Sequence, residues 1–186
     1  MNQYISLAKL AVETYVKKGQ VLKNLPRGLP SDFLERKAGV FVTLEKQGEL
    51  RGLPRGERQR VLRGCIGTYL PTQDNIAKEL IQNAVAAASN DPRFKPVAEN
   101  ELSQLSYTVY ILGEPEPVKD LQELNPKRYG IIVKSRDFPS KTGLLLPDLE
   151  QVDTVEQQFF TACQKAGIDP KKEEIVVYRF KAEKYE

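Results

Sequence analysis

A guanidinium and a thiol stand two residues apart in Leu62-Arg63-Gly64-Cys65-Ile66-Gly67-Thr68, a run that otherwise reads as strand. On a period of two, Val61, Arg63, Cys65 and Gly67 share one face, and Leu62, Gly64 and Ile66 share the other. The spacing therefore predicts Arg63 beside Cys65. A neighbouring guanidinium favours the thiolate, which is the nucleophilic and redox-active form. The opposing reading packs Cys65 as a small apolar residue and sends Arg63 to solvent or to a carboxylate. Glycine inside a strand costs roughly 0.5 to 1 kcal/mol relative to alanine. Gly64 and Gly67 thus point to a bulge, or to close approach by a ligand or another segment.

Three more residues could join that site. Asp91 and Arg93 sit on Asp91-Pro92-Arg93-Phe94, a rigid turn, where Asp91 would assist proton transfer or hold Arg93. Arg63 and Arg93 would then orient a carboxylate or phosphate, whose geometry the guanidinium fork matches. The plainer alternative is an ion pair that fixes the turn. Asn83, among small apolar residues, is either a pocket donor or a buried strut. A separate basic cluster, Arg51, Arg55, Arg58 and Arg60 with Arg63, would contact nucleic-acid phosphates. No aromatic residue interleaves it to stack bases, so a solvated loop is the competing reading. Gly52-Leu53-Pro54-Arg55-Gly56 also lacks the Lys-Ser/Thr of a phosphate-cradling loop.

Composition removes much other chemistry. The 186 residues contain no histidine, which rules out Ser-His-Asp and Cys-His systems and histidine-ligated metals within the chain. Cys65 and Cys163 lie far apart without metal-ligand spacing, so no metal, no cofactor and a reduced cytoplasmic location are expected. Phe159, Phe160, Cys163 and Ala166 fall at helical spacing and read as core. A net charge of +3 is too mild to name a partner, and no run approaches the ~20 apolar residues of a membrane span. With 40% hydrophobic residues, the chain is expected to form one domain over 1–186.

The elements that position these residues alternate between hairpins and a few long helices. Apolar spacing predicts a helix over 2–18, ended by Lys17-Lys18-Gly19, and a loop through Pro26, Gly28 and Pro30. Strands over 39–46 and 60–69 form a hairpin with a long tip. A helix opens near Thr72, taken as its cap, and ends near Asn90. A strand over 105–112 follows, then a second hairpin pairing 130–134 with 143–147. A capping box at Thr154-Val155-Glu156-Gln157 opens a helix through Ala166, and 174–180 is the last strand. Without regular strand-helix alternation, the class is α+β with mainly antiparallel sheet and flanking helices.

The Leu62–Thr68 run resembles the signature of the AMMECR domain family, whose bacterial and archaeal members are called AmmeMemoRadiSam system protein A. Other pieces follow the family's order: Gly39-Val40-Phe41-Val42-Thr43-Leu44, Asn83-Ala84-Val85-Ala86-Ala87-Ala88, Asp91-Pro92-Arg93-Phe94, Gly130-Ile131-Ile132-Val133 and Gly143-Leu144-Leu145-Leu146-Pro147. The match spans roughly residues 36–180. Two departures stand out: residues 51–61 lengthen a connection that is commonly a short turn, and the segment after Pro147 is poor in aromatics. The resemblance implies a larger lobe on an antiparallel sheet, a smaller lobe, and a cleft near the signature run. It also implies association with a Memo-like protein and a radical SAM protein. Two functions stay open. One is an enzyme built on Cys65 that acts on an anionic small molecule or modifies a protein. The other is a non-catalytic module that presents the hairpin 51–63 to RNA or to a protein.

Overall fold

A computed structural model describes residues 2–48 and 59–186, without the side chain of Gln59. The chain separates into two compact units, residues 1–111 with 184–186 and residues 112–183. The class is α+β, with an antiparallel sheet in each unit and helices flanking the sheets.

The first sheet has the strand order β2 (Gln59–Gly67), β1 (Val40–Gly48), β3 (Leu105–Leu112), β8 (Ala182–Tyr185). β1 runs antiparallel to both β2 and β3. Val40, Val42 and Leu44 alternate onto one face of β1 and are fully buried, together with the apolar stripe of α3 (Ile76–Ser89). Helix α1 (Gln3–Lys18) starts where Asn2 Oδ1 accepts the Tyr4 N–H at 2.9 Å. It stops at Gly19, whose φ of 65° suits a residue without Cβ. The helical turn α2 (Ser31–Glu35), too short to show a period, buries Phe33 in a stack 4.1 Å from Tyr4.

The start of α3 differs from expectation. Its cap is Asn75, whose Oδ1 accepts the Lys78 N–H at 3.0 Å, not Thr72. Thr72 is drawn instead to Glu79, a fully buried carboxylate on the first turn. Glu79 accepts the Thr72 N–H at 2.6 Å and hydroxyl at 2.9 Å, the Gln73 N–H at 2.7 Å, and the Thr68 hydroxyl at 2.6 Å. The segment 68–73 therefore wraps around one side chain. Glu79→Gln places an amide NH2 among these donors, so unfolding in urea is expected about 2–3 kcal/mol easier. An unchanged midpoint would mean that these bonds do not hold the segment.

In the second unit the order is β4 (Glu116–Pro117), β7 (Ile175–Phe180), β5 (Gly130–Ser135), β6 (Thr142–Leu145). Helix α4 (Val155–Ala166) has the expected capping box: Thr154 Oγ1 accepts the Gln157 N–H at 3.2 Å, and Gln157 Oε1 accepts the Thr154 N–H at 3.1 Å. Cys163 is core, and burial pushes its thiol up to about 11. Phe160 is not core, since 56% of it is exposed. The buried stripe of α4 runs through Gln158, Ala162 and Cys163, and Phe160 falls off that stripe.

Candidate functional site at the edge of the first sheet

β2 is an edge strand, and its outer edge at Cys65 is closed by side chains rather than by another strand. Asp91 Oδ2 accepts the Cys65 N–H at 2.8 Å, and Arg93 Nη2 reaches the Cys65 carbonyl at 3.5 Å. The two are joined: Arg93 Nε donates to Asp91 Oδ1 at 2.9 Å, Nη2 donates to Oδ2 at 2.7 Å, and the Arg93 N–H donates to Oδ1 at 3.1 Å. The acid and the guanidinium thus occupy the place of a neighbouring strand and blunt the edge. Proline at 92 ends the preceding helical run and gives the turn its rigidity. The Asp91 carboxyl is held down to about 2, chiefly by the Arg93 guanidinium and then by the Cys65 and Arg93 N–H groups, against the opposing effect of burial.

Arg63 goes elsewhere, and the reason is a bulge. Leu44 pairs with Gly64 but Glu45 pairs with Leu62, which leaves Arg63 unopposed on β1. Strict alternation fails there, so the expected common face for Arg63 and Cys65 does not form. The Arg63 guanidinium instead forks onto Glu101, with Nε to Oε1 and Nη2 to Oε2 both at 2.8 Å, and Nη2 also meets the Pro96 carbonyl at 3.3 Å. Lys46 adds a third bond to Glu101 Oε1 at 2.9 Å. Glu101 also accepts the Ala98 N–H at 3.0 Å. Arg63, first among these donors, holds the Glu101 carboxyl far below the usual carboxylate range. Both guanidiniums flank one ring: the Arg63 and Arg93 Cζ atoms lie 5.9 and 5.5 Å from the centroid of Phe94.

The Cys65 thiol lies on the face opposite α3, because its register partner Thr43 alternates with the buried Val42 and Leu44. Sγ is 3.2 Å from Thr43 Oγ1, and the residue is only partly buried. The cationic form of Arg93 is favoured chiefly by Asp91 and, to a smaller extent, by Cys65. Thr43, Lys46 and Glu101 also adjoin this candidate site and are not among the residues singled out from the sequence, and Phe94, part of the Asp91-Pro92-Arg93-Phe94 turn, lies between the two guanidiniums. Register across the hairpin is the signal for Thr43, whereas nothing local announces Glu101, 38 positions from Arg63.

The remaining residues have structural partners. A Cβ on Gly64 would lie 2.1 Å from the Ala87 carbonyl oxygen, and one on Gly67 would lie 2.2 Å from the Phe41 ring. Both glycines therefore admit another segment of this chain. Asn83, 2% exposed, donates to the Val40 carbonyl at 3.0 Å and the Thr68 hydroxyl at 3.2 Å, which makes it a strut between β1 and the end of β2. Arg60 is exposed. Arg51, Arg55 and Arg58 lie outside the described residues. Among the described residues no three metal-ligating side chains converge, and no helix is long and apolar enough to cross a membrane.

Comparison with known proteins gives the lineage. A protein of Thermotoga maritima is 45% identical over 184 residues, covering 99% of this chain and 97% of that protein. A Clostridium acetobutylicum protein is 42% identical over 168 residues, yet this chain spans only 32% of its length. The crystal structure of an uncharacterized protein, PH0010 from Pyrococcus horikoshii, superposes with a TM-score of 0.82 at 32% identity, covering 98% of this chain and 88% of that one. None of these names carries an activity. The AMMECR1 family model matches residues 5–185, and the chain belongs to that family.

Proposed function

We propose that the Cys65 thiol is the working group of this protein, a nucleophile or redox thiol that acts on an anionic small molecule or modifies a protein. What supports the reading is one observation: the Cys65 backbone is tied at both N–H and C=O by Asp91 and Arg93, while its side chain remains partly exposed. A reactive group gains from such fixing, since the orientation is set before the partner arrives. Arg93, 54% exposed at its side chain, supplies positive charge both to the thiolate and to an incoming anion. Asp91 serves as the positioning residue of the clamp, and Arg63 holds the strand through Glu101. Two cysteines outside any disulfide suit a reducing cytoplasm. Association with Memo-like and radical SAM proteins remains part of this reading on family grounds.

Alkylation with iodoacetamide at neutral pH tests it, with buried Cys163 as a slow reference within the same molecule. Cys65 is expected to react faster than the cysteine of an unstructured peptide, and Arg93→Gln to slow it by about three- to tenfold as thiolate is lost. A rate no faster than the peptide's overturns the proposal.

A further inference from the structure

Away from Cys65, the first unit contains a cavity of about 370 Å³ between α3 and the irregular segment 21–25. Its helix wall is one stripe at i, i+3, i+4 and i+7: Lys78, Ile81, Gln82 and Val85. The facing wall comes from Val21, Leu22, Lys23 and Leu25, with Gln73 at one side. Ile81 and Val85 are 4% and 9% exposed, and Leu22 and Leu25 pack on the same core, so floor and wall are apolar and anchored. Val21 is 49% exposed at this cavity, an apolar side chain that the fold leaves in water.

The polar groups around this apolar space carry one sign. Lys23 and Lys78 stand on opposite walls, and no carboxylate among the described residues lines the cavity. The exposed Asp74, one turn before Lys78, takes the Lys78 ammonium at 2.7 Å. Lys23 makes no ion pair among the described residues. Two cations against one acid leave a single positive charge, and the amides of Gln73 and Gln82 add neutral donors at the same rim. The size lies within the range of small-molecule sites, which are mainly apolar with a few polar groups that fix orientation.

From this shape and charge we infer that the cavity binds an amphipathic monocarboxylate, its hydrocarbon chain against Ile81, Val85 and Leu25 and its carboxylate at Lys23. The apolar part supplies most of the attraction through area removed from water. The lysine selects the anion over a neutral chain of equal length. This inference is independent of Cys65, since no residue of the clamp lines the cavity.

Isothermal titration of the full chain with decanoate, with decan-1-ol as the uncharged comparison, provides the test. Saturable one-to-one binding of decanoate, tighter than that of decanol, is expected. Lys23→Glu should weaken decanoate by about fivefold or more while leaving decanol unchanged. Val21→Glu should weaken both ligands. Lys23 and Val21 are exposed, so both variants should keep the parent melting temperature, which separates lost binding from lost folding. Absence of saturable decanoate binding, equal affinity for decanol, or an unaffected Lys23→Glu variant would each overturn the assignment.

Discussion

Glu101→Ala is expected to lower the unfolding free energy by about 3–5 kcal/mol, the cost of leaving a buried charge without its partner. The Arg63 side chain is only 9% exposed, and two of its hydrogen bonds go to Glu101, at 2.8 Å each. Without that carboxylate, Arg63 keeps the long contact to the Pro96 carbonyl and its place 5.9 Å from the Phe94 ring centroid, neither of which supplies a counter-charge. Lys46 and the Ala98 N–H lose their acceptor at the same moment. Removing both charges is a different perturbation. The double variant Arg63→Met with Glu101→Leu should lose less stability than Glu101→Ala alone, because no ion is stranded. Urea denaturation of the three proteins checks both statements. A loss below about 1 kcal/mol for Glu101→Ala would put the pair in the class of surface salt bridges.

Glu101 and Asp91 both contribute to the acid limb of stability. Folding lowers the proton affinity of Asp91 and Glu101, so the unfolded chain binds more protons than the native one as pH falls. Their contribution is complete above the unfolded values of about 4, and it is lost progressively as pH drops toward the folded values, about 2 for Asp91. Stability should therefore fall between roughly pH 5 and pH 2. Glu101→Gln should show a shallower slope over that window.

The outline of this fold is readable in the chain because its signals are local. The Thr154 capping box, Gly19 as a helix stop, and the aromatic and β-branched run along Leu105–Leu112 each act within a few residues. The site resisted for the opposite reason. A bulge at Arg63 depends on how β1 and β2 pair, and strict alternation hides it. Glu101 is remote from Arg63 in sequence, and a carboxylate in a polar stretch has no pattern that names its partner. Thr72 carries a cap's chemistry but loses the role to Asn75, since Glu79 draws Thr72 into the fold. Strand β8 is short and largely polar, and its place beside β3 and the contact of its Tyr185 ring with Tyr4, 4.4 Å away, are long-range features with no local pattern. At Cys65 the residues were readable and the geometry was not: Asp91 and Arg93 do reach it, but through its backbone.

Gly64→Ala should cost about 3 kcal/mol, at the upper end of what overpacking produces. The added Cβ would sit 2.1 Å from the Ala87 carbonyl oxygen and 3.1 Å from its carbon, and both are helix backbone that cannot rotate aside. Either β2 or α3 must then move. Gly113→Ala is the control, because its Cβ would stand 3.4 Å from the nearest atom and should change stability by less than about 1 kcal/mol. The position next to Cys65 gives the substitution a second readout. A shift of β2 away from α3 would strain the 2.8 Å bond from the Cys65 N–H to Asp91 and loosen the clamp that fixes the thiol. Alkylation of Cys65 in Gly64→Ala should slow under conditions where the variant is still folded. Reduced stability with unchanged alkylation would mean that α3 yields instead and the strand keeps its place. Glycine at 64 would then serve packing alone, and the rigidity credited to Cys65 would rest on Asp91 and Arg93.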